Sequence, residues 1–253
     1  MELTGQEINN FKDHGYISKF IFKSTECDLY KKHFEKLTKI YSESSLKGKL
    51  KDRIMNPHFF DETSRRILLN SKFFLYANQL LSSKVYGVQT MYFEKGSEQN
   101  YHQDDFYLNR TIGFWIALDD VDESNGSISV QQESHKYDVI YPKTLGIINP
   151  QHLGDDLRYS NKLFEVYLKN KNNKKLKDKI LNLKKGNGVI IDGRLIHWGL
   201  PIINKKKKRR VIVIHYLGNK SKWPYLNWPL FYENGYYKVN GSFDKNNLHP
   251  NKI

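Results

Sequence analysis

The chain has 253 residues, with 41 Lys plus Arg against 27 Asp plus Glu, a formal charge of +14 and one cysteine. At 39% hydrophobic and 14% aromatic it is not a disordered chain, and its length allows a buried core without disulfides. The single thiol, Cys27, excludes an intramolecular disulfide and a cysteine-built zinc or iron–sulfur site within one chain. No apolar run is long enough to span a bilayer and the first residues carry no secretory pattern, so a soluble, cytoplasmic protein without a membrane partner is expected.

In chain order, Thr4-Gly5-Gln6-Glu7 is a capping box opening a helix, with Ile8 and Phe11 on one face and Gly15 as its stop. Gly15-Tyr16-Ile17 is a short extended piece. Ser24 caps a second helix carrying Cys27, Tyr30, Phe34, Leu37 and Tyr41 at helical spacing. Asp61 opens a third, running through Ile67, Leu68, Leu75 and Leu80. From Val85 the pattern turns to strands: 85–93, closed by Lys95-Gly96-Ser97; 111–118; and 127–130, after the turn Glu123-Ser124-Asn125-Gly126. Residues 183–192 hold a Gly-containing turn feeding a buried strand, and 210–217 are strongly β. Residues 155–178 read as a helical or loop insertion, with Leu163, Val166 and Tyr167 as its apolar side.

Short strands between turns predict a β-sandwich or jelly roll with the helices outside it. The expected organisation is one domain over 1–253. Residues 1–84 are mostly helical, 85–217 form the jelly-roll core with an insertion around 150–180, and 218–253 form an irregular covering segment.

The positive charge has two readings. One is attraction for nucleic acid, an anionic membrane surface or a small anionic substrate. The other is compositional drift, with Lys and Asn filling surface-like stretches such as 168–185. No nucleic-acid-binding signature accompanies the charge, so no nucleic-acid partner is expected.

Five histidines, His14, His33, His58, His152 and His249, stand in polar or loop-like surroundings and read as surface residues. His102 differs. In the extended segment Tyr101-His102-Gln103-Asp104-Asp105, residues two apart face the same side, so an imidazole and a carboxylate are presented together. His197 closes the segment 189–197, far enough along the chain to come from another strand. Two histidines and one carboxylate make the facial set of non-haem iron(II) oxygenases, which leaves open positions for a 2-oxo acid and O2. The plain alternative is a surface His–Asp hydrogen bond. Arg209 and Arg210, entering the last strong strand, each offer two parallel hydrogen bonds to a carboxylate. Alternation points one inward and the other outward. The lysine run 205–208 reads as a solvated tip.

Together the motifs resemble the phytanoyl-CoA dioxygenase family of Fe(II)/2-oxoglutarate-dependent oxygenases. The resemblance runs through Phe11-Lys12-Asp13-His14-Gly15-Tyr16-Ile17, then Gln89-Thr90-Met91-Tyr92-Phe93 and Tyr101-His102-Gln103-Asp104-Asp105. It continues with the segments 115–126, 133–136, 188–197 and 209–216, in the family's order and approximate spacing. It implies a double-stranded β-helix, that is, a cupin-like jelly roll, mainly β with flanking α-helices. It implies Fe(II) held by His102, Asp104 and His197, and 2-oxoglutarate held at its far carboxylate by Arg209 rather than Arg210. Gln89 and Trp115 fall where the family places side chains near the co-substrate, Gln103 between the ligands is expected to line the pocket, and Ser134-His135 is expected to be structural or at most to support the metal ligands from behind.

The implied reaction consumes O2 and converts 2-oxoglutarate to succinate and CO2 while a substrate is hydroxylated. Tyr92, Phe106, Tyr107 and Trp115 are either a water-excluding lining or ordinary core. Two departures stand out: Gly199 replaces the small hydroxyl residue often found two positions after the distal histidine, and the tip before Arg209 is one residue longer than expected. Retention of Asp104 argues against halogenase chemistry. The expected substrate is a small, anionic molecule, an organophosphonate or a carboxylated metabolite. Lys95, Arg110 and Arg194 are candidate recognition residues by nearness in sequence alone. Alternatives are an oxygenase of natural-product intermediates or amino acids, one acting on nucleic acid or protein, and a non-catalytic binding module. Oligomeric state is left open.

Overall fold

The protein is described here by a computed structural model that covers residues 2–43, 53–96, 98–108, 110–146, 157–219, 230–233 and 236–239. The helices are α1 (Gly5–His14), α2 (Ser24–Glu43), α3 (Glu62–Leu68), α4 (Ser71–Leu81), α5 (Asp105–Leu108) and α6 (Leu157–Asn173). The strands are β1 (Tyr16–Phe20), β2 (Arg53–Met55), β3 (Val85–Phe93), β4 (Thr111–Ala117), β5 (Ile128–Gln131), β6 (Asp178–Leu181), β7 (Asn187–Asp192), β8 (His197–Gly199), β9 (Val211–Gly218), β10 (Leu230–Glu233) and β11 (Tyr236–Val239).

The helices start where the sequence supplies caps. Thr4 and Glu7 make the reciprocal capping box of α1. Gly15 ends α1 at φ 84°, a left-handed conformation that suits glycine. Asp61 caps α3 by accepting from the Ser64 N–H at 2.7 Å. The single third helix expected from Asp61 onward is instead two. Asn70 accepts from the Lys72 N–H at 3.0 Å and opens α4 afresh, and that side-chain bond competes with continuing the helix. Ser24 is the first helical residue rather than the cap, and the Lys23 N–H donates to Glu26 Oε2 at 2.7 Å.

Among the described residues all strand pairings are antiparallel. The larger sheet runs β1-β7-β4-β9-β3-β10-β11, with β2 also on β3; the smaller runs β6-β5-β8. This is the expected jelly roll, with β1 adding an edge strand from the N-terminal part. Alternation divides the larger sheet into two faces. Tyr92, Phe114, Ile116, Ile190, Ile212 and Ile214 point outward into a core with Phe34, Leu68, Phe73 and Phe74 from the helices. Ala117, Val189 and Ile191 point inward against Ile128, Val130 and Leu181 of the smaller sheet. A second inner cluster, Met91, Phe93, Val211 and Val213 with Met55 and Trp115, lines the opposite end. Helix α6 covers the smaller sheet through Tyr159, Leu163 and Tyr167.

The stretch 150–180 is more than an insertion, because β6 pairs with β5 and completes the smaller sheet. Strands β2 and β8 are three residues each, too short to show a period. Within 218–253, the residues 230–233 and 236–239 pair as strands rather than forming irregular cover. Among the described residues no helix is long and apolar enough to cross a membrane.

Candidate metal centre

Two chain segments meet between the sheets. His102 and His197 face each other across an antiparallel bridge, each N–H donating to the other's carbonyl at 3.0 Å. That pairing sets both imidazoles on one side, with ring centroids 4.0 Å apart. Asp104 joins them by the expected two-residue alternation. Its oxygens lie 3.9 Å from each histidine Nε2, and one ligand atom from each of the three residues falls within 4.8 Å of the others. All three are buried.

The supporting hydrogen bonds fix which nitrogen faces the centre. His102 Nδ1 lies 2.8 Å from the Asn100 carbonyl and His197 Nδ1 lies 2.9 Å from the Leu195 carbonyl. A carbonyl only accepts, so each Nδ1 carries the proton and each Nε2 offers its lone pair. Burial, then the neighbouring His197, lowers the His102 pKa to about 3, which keeps that imidazole neutral. Burial works to raise the Asp104 carboxyl, but the imidazoles of His215 and His197 outweigh it and hold it well below the usual carboxylate range. Two imidazoles and one carboxylate on one face are a donor set that fits iron(II).

His215 is a member of this site that the sequence reading passed over. Its Nε2–H donates to Asp104 Oδ2 at 3.2 Å. It stands on β9 opposite Gly113 of β4 and Gln89 of β3. A Cβ on Gly113 would lie 3.3 Å from the His215 ring, so glycine makes room for the bond. The signal was present in 211–217: Val211, Val213 and His215 share a face, and the third is polar. The next carboxylate, Asp105, is structural. It accepts from the N–H groups of Thr111 at 2.8 Å and Arg110 at 3.0 Å, and burial, then Asp192, pushes it up to about 7.

The structure separates the two arginines. Arg210 is bidentate on Asp119, at 2.7 and 2.8 Å, and also meets Glu35. Arg209 turns inward, is 3% exposed and has no carboxylate partner among the described residues. Its guanidinium lies 5.2 Å from the Trp115 ring, and its Nε has no acceptor. Burial lowers its pKa to about 10, so it stays charged at neutral pH. A buried cation without its anion is half of an ion pair.

The other candidates sort by contact. Gln89 is buried in the His215–Gly113 row, and Trp115 stands under Arg209, so both lie on the inner face. Gln103 does not line the pocket. Alternation turns it away from its two neighbours, and its amide is tied to the Arg194 carbonyl at 2.7 Å and the Ile140 N–H at 3.2 Å. Tyr92 stacks on Phe34 in the outer core and Phe106 packs on Tyr159, so neither is a lining residue. The Tyr107 side chain lies outside the described residues. Arg110 reaches the Leu81 carbonyl, Arg194 is held by Asp192, and Lys95 is exposed. Ser134 and His135 are structural as expected, bonding the Ile196 N–H and the Lys12 carbonyl. His58, read as a surface residue, is fully buried with Nδ1 2.7 Å from Thr90 Oγ1. His152 and His249 lie outside the described residues.

Gly199 has a steric reason. Its N–H donates to the Gln99 carbonyl at 2.8 Å, and a Cβ there would lie 2.9 Å from the Gln99 nitrogen. The hydroxyl side chain expected at this position has no room. The lysine tip is tied to acids, Lys207 to Asp122 at 2.7 Å and Lys208 to Glu35 at 3.5 Å, so much of its charge is met within the protein.

The family described as Phytanoyl-CoA dioxygenase (PhyH) matches residues 11–211. Among solved structures, the chain is similar to SnoK, a non-heme alpha ketoglutarate dependent carbocyclase from nogalamycin biosynthesis, with TM-score 0.70 and 14% identity over 87% of this chain and 86% of that one. It is similar to EctD from S. alaskensis with 2-oxoglutarate and 5-hydroxyectoine, with TM-score 0.66 and 16% identity over 87% and 78%. It is also similar to AviO1 from Streptomyces viridochromogenes Tue57, with TM-score 0.62 and 18% identity over 88% and 98%. At these identities the likeness speaks for the fold. No curated protein matches the chain.

Proposed function

We propose, on the premise that this chain belongs to the phytanoyl-CoA dioxygenase family, that it hydroxylates a small anionic metabolite. It is an enzyme of the iron- and 2-oxoglutarate-dependent oxygenase type. The observation that carries the reading is the facial set of His102, Asp104 and His197 together with the buried, unpartnered Arg209.

In this reading His102, Asp104 and His197 hold Fe(II). When bound, iron with 2-oxoglutarate and O2 supplies the oxidising power for C–H hydroxylation, with succinate and CO2 as co-products. The protein's own part is positioning. The Asn100 and Leu195 carbonyls hold the imidazoles, and His215 holds Asp104. Arg209 takes the far carboxylate of 2-oxoglutarate, and Trp115 supports its guanidinium from below. The rows Gln89–His215–Gly113 and Met91–Val213–Trp115 are two residues apart, about 6.8 Å along the strands. That is a suitable scale for a five-carbon diacid reaching from the metal toward the arginine. Met91, Phe93 and Val213 form an apolar wall that excludes water. The substrate class, an organophosphonate or carboxylated compound, is supported by the excess of basic over acidic residues, whose field favours a small anion.

The test is anaerobic reconstitution with Fe(II) and 2-oxoglutarate, read by the weak visible charge-transfer band. The band is expected in the wild type and lost in His102→Ala. Arg209→Ala should lose it while still binding iron. Small phosphonates and carboxylates are then screened for coupled succinate release. A folded wild type without the band overturns the reading and favours a binding module. Coupling only to nucleic acid or a protein would move the substrate to those classes.

A further inference from the structure

We propose that Arg53 is the recognition cation for an anionic group at the far end of the primary substrate. This rests on the hydroxylase reading and adds a residue to it. Strand β2 pairs with β3 in the register Arg53↔Phe93, Ile54↔Tyr92 and Met55↔Met91. Directly opposed residues share a sheet face. Ile54 follows Tyr92 into the outer core, and Met55 follows Met91 into the inner cluster with Phe93, Val213 and Trp115. Arg53 therefore faces inward, and its guanidinium lies 5.8 Å from the Phe93 ring.

Arg53 has no carboxylate partner among the described residues, although those residues hold many acids. Arg65 and Arg66 meet Glu62, Arg194 meets Asp192, Arg210 meets Asp119, and Arg110 bonds the Leu81 carbonyl. Arg53 and Arg209 share the inner face and lack such a bond, and Arg209 is assigned to the co-substrate. Half-buried at the sheet edge, Arg53 keeps access to solvent and to an entering ligand. Its position also gives a length. Strands β2 and β9 are two strand spacings apart, about 9.6 Å. The Arg53 level lies four residues, about 13.6 Å, from the His215 level beside the metal ligands. Between them lies the apolar wall of Met91, Phe93 and Val213. The complementary ligand has a carboxylate or phosphonate at one end, an apolar middle, and its reacting carbon at the other.

The probes are hexylphosphonate, hexanoate and neutral hexanamide, with binding measured calorimetrically to the metal-free protein and again with Fe(II) and 2-oxoglutarate under nitrogen. The wild type is expected to bind the two acids at least tenfold more tightly than the amide. Arg53→Gln and Arg53→Met should bring acid binding down to the amide level, and Arg53→Lys should restore part of it. The 2-oxoglutarate affinity and the charge-transfer band should be unchanged in all three. The assignment is overturned if the wild type binds acid and amide alike, or if both neutral variants keep the tenfold preference. A parallel loss of 2-oxoglutarate affinity in Arg53→Gln also overturns it and assigns the residue to the co-substrate. A missing charge-transfer band in the wild type defeats the hydroxylase reading instead, and the metal-free titration still decides Arg53.

Discussion

Replacing Arg209 by methionine should stabilise the metal-free protein while removing its response to 2-oxoglutarate. The guanidinium is 3% exposed, has no carboxylate among the described residues, and leaves Nε without an acceptor. Burial lowers its pKa from 12.5 to about 10. At ~1.36 kcal/mol per pKa unit, the charge destabilises the folded apoprotein by roughly 3 kcal/mol. A depressed pKa on a base means that the folded state binds the proton less readily. The penalty is therefore complete at pH 7 and fades only as pH rises from about 10 toward 12.5. Methionine keeps most of the apolar stem but loses the contact with Trp115, which offsets about 0.5–2 kcal/mol. The net expectation is a gain of roughly 1–2 kcal/mol, or about 2–8 °C in Tm for a domain of this size. Urea and thermal unfolding at pH 7 measure it, with and without iron and 2-oxoglutarate under nitrogen. At a hundredfold excess over Kd, the co-substrate should stabilise the wild type by about 2.7 kcal/mol and the variant hardly at all. A variant less stable than wild type, or one still stabilised by 2-oxoglutarate, would refute the view of Arg209 as a cation awaiting its anion.

Three further outcomes follow from the same geometry. Removing the hydrogen bond to Asp104 with His215→Leu should weaken Fe(II) binding roughly 10–100-fold, whereas His215→Gln, which keeps an N–H donor, should recover most of it; equal affinities in competitive iron titrations would deny His215 a positioning role. Gly199→Ser should destabilise by roughly 1–3 kcal/mol, because the added Cβ meets the Gln99 backbone, and a neutral urea midpoint would show that this strand pair yields easily. Burial holds the His58 pKa near 3 against 6.5, so the unfolded state takes up a proton as pH falls between those values and stability drops by up to about 1.4 kcal/mol per pH unit. His58→Asn should flatten that slope between pH 6.5 and 4.5, and parallel slopes for the two proteins would contradict the burial argument.

Much of the metal centre was legible because its chemistry is local in sequence. A two-residue spacing in an extended segment dictates that His102 and Asp104 share a side, and the triad closes as expected. The longer strands, β3, β4 and β9, announced themselves by β-branched and aromatic residues. What stayed hidden depends on partners distant in the chain. Gln103 alternates away from the site, but its bonds to Arg194 and Ile140 come from elsewhere in the fold. His58 looks solvated until its Thr90 partner is known. Arg53 sits on a strand of three residues, whose inner face is defined only by pairing with β3. Nearness in sequence singles out Lys95, Arg110 and Arg194, but Arg110 is held by the Leu81 carbonyl and Arg194 by Asp192.

The backbone bridge between His102 and His197 also bears on the order of events during folding. The two segments it joins are separated by most of the jelly roll, so their union closes a long loop at an entropic cost. A nascent chain that ends before His197 lacks one of the three ligands. Iron therefore meets a complete set of ligands only after the intervening β4–β7 region has been made and the two histidine backbones have found each other. Metal capture then acts as a final latch on a finished topology rather than as a seed for it. Iron should slow unfolding of this protein while leaving its rate of folding unaltered.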